Sequence, residues 1–310
     1  MRWRRLPNRA MTSMAIVCAA LLVNGCEAQV WGAPPAAEST PQATVVAPQA
    51  SLPVLPEAPP DQLAAPLDGL DARVRQATAD AAASGADIEA VVLDRNTGQI
   101  VSNGANKPFP LASVVKLFIA DDLLLQESKG ETQLSAADRK SLDIMLRSSD
   151  DSAAQMFWNR SGQNAIIARV VARYGLTGTT APSNGHWDVT LSTASDLVRY
   201  YDMLLDGTGG LPPEQADVII SNLAQSTPTG TDGYPQRFGI PEGLYAEPVA
   251  VKQGWFCCWS GANQLHVSTG IIGPERRYVM AISSLEPDDA AAARETITQA
   301  VKTMFPGGKI

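Results

Sequence analysis

Apolar residues recur along this chain with two different periods, and the switches between them mark out its elements. In LDGLDARVRQATADAAASG, Leu70, Val74, Ala77 and Ala81 fall on one helical face, and Gly85 supplies a C-cap. IEAVVLDRNTGQIVSNG then reads as two strands around Asn96-Thr97-Gly98, a hairpin signature. Helical spacing returns from residue 113 to about 126 and from 135 to about 158. It recurs over 164–174, 193–205 and about 214–224. VAVKQGWF, QLHVSTGIIG and RRYVMAISSL read as strands, and AAAARETITQAVKTMF as a closing amphipathic helix. Strands at both ends with helices between predict an α+β fold. One antiparallel sheet joins N- and C-terminal strands, with flanking helices and an inserted helical part. No internal repeat interrupts this scheme.

The N-terminal segment departs from the pattern. Arg2, Arg4, Arg5 and Arg9 precede a short apolar run from Met14 to Val23, too short to span a bilayer, which reads as an export signal. The run ends in LLVNGC, which resembles a bacterial lipobox; Cys26 would then carry lipid and become the mature N-terminus. Ordinary cleavage nearby, leaving Cys26 free, is the alternative. The Pro- and Ala-rich stretch that follows has no helical or strand period and reads as an extended, disordered tether. The expected organisation is a signal over 1–25, a tether over 26–66 and a folded domain over 67–310. That domain would be held by the lipid on the extracytoplasmic face of the cell membrane.

Composition narrows the function. A formal charge of -8 leaves no basic stripe to neutralise phosphates, so a nucleic-acid partner is excluded. Two histidines and a pair of adjacent cysteines lack metal-ligand spacing, and no phosphate-cradling or dinucleotide loop appears. Neither metal nor cofactor is expected. Of four cysteines, only Cys257 and Cys258 fall in the folded part. Outside the cytoplasm they can oxidise to each other. Consecutive Cα atoms lie about 3.8 Å apart, below the usual disulfide range, so two small buried thiols on a strand are an equal alternative.

Candidate chemistry begins at PLASVVKLFIADDLLLQ. Serine is a poor nucleophile until a neighbouring base takes its proton. Ser113 and Lys116 stand three residues apart, on one helical face, so the amine can reach the hydroxyl. Burial can lower the lysine pKa enough for it to act as a base. An S-x-x-K arises by chance in chains of this length, but Lys116 sits among Val114, Val115, Leu117, Phe118 and Ile119, unlike a solvated helix charge. A second motif, Ser149-Asp150-Asp151, precedes a helix starting near Ser152. A third, Lys252-Gln253-Gly254, lies on a presumed edge strand. A cation there can hold a substrate carboxylate. The amide of Trp255 can join that of Ser113 in an oxyanion hole.

The order S-x-x-K, S-D-x, K-x-G resembles the class A β-lactamase and penicillin-binding protein superfamily, over roughly residue 88 to the C-terminus. The resemblance implies a β-lactamase/transpeptidase-like fold, with Ser113 as nucleophile and Lys116 as general base. Ser149 would relay the proton to the leaving nitrogen, with Lys252 behind it. Asp151, Gln253 and Gly254 would contact the substrate.

The chain departs from the family at chemically telling places. Asp151 stands where the family has asparagine; an ionised carboxylate only accepts hydrogen bonds, and it would raise the pKa of a nearby lysine. Gln253 replaces a hydroxyl residue, and the segment from Lys116 to Ser149 is short, opening one wall of the pocket. No glutamate occurs between Glu131 and Glu214, where the family's water-activating glutamate would lie. Only His186 and Asp188 in that stretch can serve as a base. His266 reads as structural. The expectation is a serine hydrolase whose acyl-enzyme, formed with a β-lactam or a cell-wall amide or ester, persists. The alternative is a non-catalytic envelope protein binding a muropeptide, lipid or protein partner.

Overall fold

A computed structural model describes residues 67–310. The predicted signal, the Cys26 lipid site and the tether lie outside the described residues.

Five strands form one antiparallel sheet: β1 (Asp87–Asp94), β2 (Gln99–Ser102), β5 (Val249–Trp259), β6 (Asn263–Ile272) and β7 (Tyr278–Glu286), in the order β2-β1-β7-β6-β5. The first strand therefore lies against the last, with Val91 opposite Ala281. Lys252 on β5 lies opposite Thr269 on β6. Side chains alternate across the sheet with period two. Val91, Leu93, Val279 and Ala281 face one core, while Ala90, Val92, Met280 and Ile282 face the other. Burial on both faces is why these strands read as almost unbroken apolar runs. Helices α1 (Leu70–Ala83) and α9 (Ala290–Met304) cover the second face.

The first face carries the inserted helices. They are α2 (Lys116–Ser128), α3 (Ala136–Arg147), α4 (Asp151–Arg160), α5 (Asn164–Tyr174), α6 (Ala194–Asp206) and α7 (Pro213–Ala224). α2 lies at the centre, buried on every side from Lys116 to Leu125, as expected of a helix apolar all round. Two carboxylates are buried within it. Arg169 grips Asp122 through two bonds of 2.7 Å. Asp121 is bonded by Arg173 and by the Tyr174 hydroxyl. These pairs tie α2 to α5 and meet the requirement that a buried charge be partnered.

Two predicted helices are corrected. The helix expected from Ser113 starts at Lys116, and residues Ala112–Val115 form a 3₁₀ turn. Ala112 has φ 46°, which an α-helix does not accept. The helix expected over 135–158 is two, α3 and α4. Ser149 takes φ 57°, and the Asp150 carboxylate caps α4 by accepting from the Ala153 amide at 2.7 Å. The apolar period continues through this break and hides it. Further short elements lie outside the sequence pattern, among them strands β3 (Phe109–Pro110) and β4 (Leu191–Ser192), which pair with each other, and α8 (Ile240–Gly243).

Candidate active site

The Ala112–Val115 turn, the break before α4 and the strand β5 meet at one place. In a 3₁₀ turn, side chains at i and i+3 eclipse. Lys116 therefore lies directly over Ser113, with Nζ 2.7 Å from the Ser113 Oγ. The same nitrogen is 2.7 Å from the Ser149 carbonyl, 3.2 Å from the Ser149 Oγ and 2.6 Å from the Asp151 Oδ1. From the far side, Lys252 Nζ reaches the Ser149 Oγ at 2.8 Å. The Ser149 hydroxyl thus stands between two lysine nitrogens. The left-handed conformations of Ala112 and Ser149 present these hydroxyls, and non-glycine residues of that kind cluster at functional sites.

Lys116 and Lys252 are both enclosed, at 0% and 1% exposure. Burial drives the Lys116 pKa down, against the pull of the Asp151 carboxylate. It drives Lys252 well down, and the neighbouring Lys116 charge pushes the same way. An ammonium has three N–H donors, and four acceptors surround Lys116. In its neutral form the amine can donate to the Ser149 carbonyl and to Asp151, leaving its lone pair for the Ser113 proton.

Packing sets the places of Gly254 and Gln253. A Cβ on Gly254 would lie 2.6 Å from the Leu111 carbonyl oxygen, so glycine here lets β5 close on the turn that bears Ser113. The Gln253 side chain points away from the cleft. It is buried and donates to the carbonyls of Gln236, at 3.2 Å, and Phe238, at 2.5 Å. The alternation of a strand, which aims Lys252 at Ser149, sends its neighbour to the opposite face. Gly254→Ala is expected to cost about 1–3 kcal/mol and to slow any acylation of Ser113. Urea unfolding and time-resolved intact-mass spectrometry check the two effects.

The cleft has walls that the motifs did not announce. A pocket of about 210 Å³ opens on Ser113, lined also by Asp151, Trp187, Asp188, Asp232 and Trp255. It continues into a groove of about 620 Å³ along α4, which shares Asp151, Trp187 and Asp188. Trp187 places its ring 4.9 Å from Lys116 Nζ. Trp255 stacks on Tyr234 at 4.7 Å, and its indole N–H donates to Asp232 at 3.3 Å. Beneath them His266 is buried with its Nε2 2.7 Å from the Tyr234 hydroxyl. Burial lowers its pKa to about 4, so it is a neutral support. Of the two candidate bases, Asp188 lines the Ser113 pocket, and His186 lines only the groove. Cys257, at the pocket rim, is disulfide-bonded to Cys258 across a cis peptide with Cα atoms 3.0 Å apart. Among the described residues no cluster suited to a metal occurs.

With this geometry in hand, comparison with known proteins places the chain. The model of the beta-lactamase enzyme family matches residues 70–139 and 139–305. The chain belongs to that family. LppW of Mycobacterium tuberculosis (strain H37Rv), a lipoprotein by name, is 56% identical over 315 residues, covering 99% of this chain and 100% of that protein. Among solved structures, a beta-lactamase from Chitinophaga pinensis shares the fold at TM-score 0.62 and 16% identity, over 77% of this chain and 98% of its own. A class A beta-lactamase from Mycobacterium abscessus does so at TM-score 0.58 and 20% identity, over 76% and 97%. The β-lactamase-like fold is thereby established.

Proposed function

We propose that this chain is a lipid-anchored, extracytoplasmic member of the beta-lactamase enzyme family that forms an acyl-enzyme at Ser113 and releases it slowly. The approach of Lys116 Nζ to the Ser113 Oγ, inside one cleft with Ser149 and Lys252, carries the reading. Ser113 Oγ attacks the carbonyl carbon of a β-lactam, or of a cell-wall amide or ester. Its proton passes to neutral Lys116. Ser149, held by Lys252, passes that proton from Lys116 to the leaving nitrogen, or to the leaving oxygen of an ester, as its bond to the carbonyl carbon breaks. Ser113 is the second residue of the Ala112–Val115 turn, where an amide has no intrahelical partner, and β5 is an edge strand with one row of amides unpaired by sheet. The amides of Ser113 and Trp255 fit the oxyanion role on those grounds. Of the two loop candidates His186 and Asp188, only Asp188 lines this pocket, and among the described residues no hydrogen bond or ion pair holds it. An unfixed carboxylate is a poor activator of water, so the ester persists.

Intact-mass spectrometry after incubation with a reporter penicillin tests the reading. The expected result is a covalent adduct of the whole reagent on the peptide bearing Ser113, absent from Ser113→Ala. No adduct on a folded protein would remove β-lactams from the substrate class. The second reading is a non-catalytic binder of an envelope ligand. It draws on the Lys116–Asp151 pair at 2.6 Å, which competes with Ser113 for the lysine. That reading requires Ser113→Ala to leave the cellular phenotype unchanged.

A further inference from the structure

The cleft is walled by carboxylates. Asp151, Asp188 and Asp232 line the pocket, and Asp151 and Asp188 extend into the groove. Neither is lined by a lysine or arginine among the described residues. Lys116 and Lys252 lie buried behind the two serines, and Lys116 is already paired with Asp151.

The other two carboxylates have no ion-pair partner among the described residues, although Asp232 also feels the buried Lys116 and Lys252 charges. Asp232 accepts only from neutral donors, the Tyr234 amide at 2.9 Å and the Trp255 indole at 3.3 Å. Asp188 has no hydrogen-bond or ion-pair partner among the described residues, although it is partly buried where pocket and groove meet. A carboxylate with no ion-pair partner at the wall of a cleft is open to a ligand group of opposite charge. Trp187 and Trp255 flank the same space, and indole faces favour cations over anions.

We propose that the ligand of this cleft carries an ammonium group that sits against Asp188, with Asp232 adding to the attraction from across the pocket. An amine-bearing peptide of the cell wall has this chemistry. The proposal rests on the reading that the Ser113 cleft receives a ligand, and it assigns that ligand's charge.

Aminobenzyl-, benzyl- and carboxybenzylpenicillin share one bicyclic nucleus and its carboxylate and differ in side-chain charge. Their rate constants for acylating Ser113, read by intact mass at low salt, are expected to fall in that order. Each step should be about three- to tenfold. At about 1 M salt, where screening acts within roughly 3 Å, the three rates should converge. In Asp188→Asn the amino-to-benzyl ratio should move towards one. Equal rates at low salt, or a fastest carboxybenzyl compound, would overturn the charge assignment while leaving Ser113 as nucleophile. Should none of the three acylate, the nucleophile reading fails for β-lactams, and binding decides the charge. Calorimetry on Ser113→Ala then compares a muropeptide carrying a free side-chain amine with its N-acetylated form. Preference for the free amine upholds the proposal; equal binding, or no binding of either, sinks it.

Discussion

Lys116→Met is expected to slow acylation of Ser113 by about 10²–10⁴-fold, the contribution of a positioned general base, without making the protein less stable. The two halves of that result have one cause. Lys116 is fully enclosed, so its nitrogen is held against a desolvation penalty that a chain serving structure alone would avoid. Methionine has similar length and reach, fills the same space between Trp187 and the start of α2, and carries no charge to desolvate. Its introduction leaves no buried anion stranded, because the Asp151 side chain is 71% exposed and returns to water. Thermal unfolding should therefore show a midpoint equal to or above that of the parent. Acylation, followed by mass against time, should nearly vanish. A variant that acylates at the parental rate would show that another group takes the Ser113 proton. A variant that loses several kcal/mol would instead assign Lys116 a structural task.

How much of this was legible beforehand depends on the sequence distance between partners. Ser113 and Lys116 are three residues apart, so local geometry alone brings them together, although the turn is 3₁₀ and not α as expected. Ser149 and Lys252 lie 103 residues apart, and only the order of the family's motifs joined them to the site. Nothing local marked Asp121 and Asp122 as buried. Their arginines come 52 and 47 residues later, on α5, so DDLLLQ reads the same whether it faces water or a guanidinium. The pocket walls escaped for the same reason. Trp187 and Asp232 lie on segments between helices and strands, and their partners are remote: Gln155 on α4 and Lys116 for Trp187, Trp255 on β5 for Asp232. Gln253 was misplaced by treating a motif as a block. A strand aims alternate residues at opposite faces, so the residue after Lys252 could not share its target. The effect of Asp151 on Lys116 was anticipated in sign but not in rank, because burial of the lysine outweighs it.

Asp151→Asn is expected to speed acylation by about tenfold at neutral pH and to move the rising limb of its pH profile about one unit lower. Acylation needs the neutral amine, so the rate climbs as pH passes upward through the Lys116 pKa. Burial sets that pKa below the ordinary lysine value, and the Asp151 carboxylate at 2.6 Å holds it up against burial. Removing the negative charge lets the pKa fall further, and the neutral fraction at a given pH below the limb rises. A carboxylate within reach of a partner typically moves a pKa by roughly one to three units. The low end applies here because Asp151 is largely exposed and screened by solvent. The asparagine amide also provides an N–H donor, which the carboxylate lacks, for a substrate carbonyl. The two contributions separate experimentally. A displaced limb with an unchanged plateau comes from the lysine, whereas a raised plateau comes from the new donor. If rate and profile both stay as in the parent, Asp151 is not what restrains Lys116, and any restraint on acylation would have to originate in the shape of the cleft.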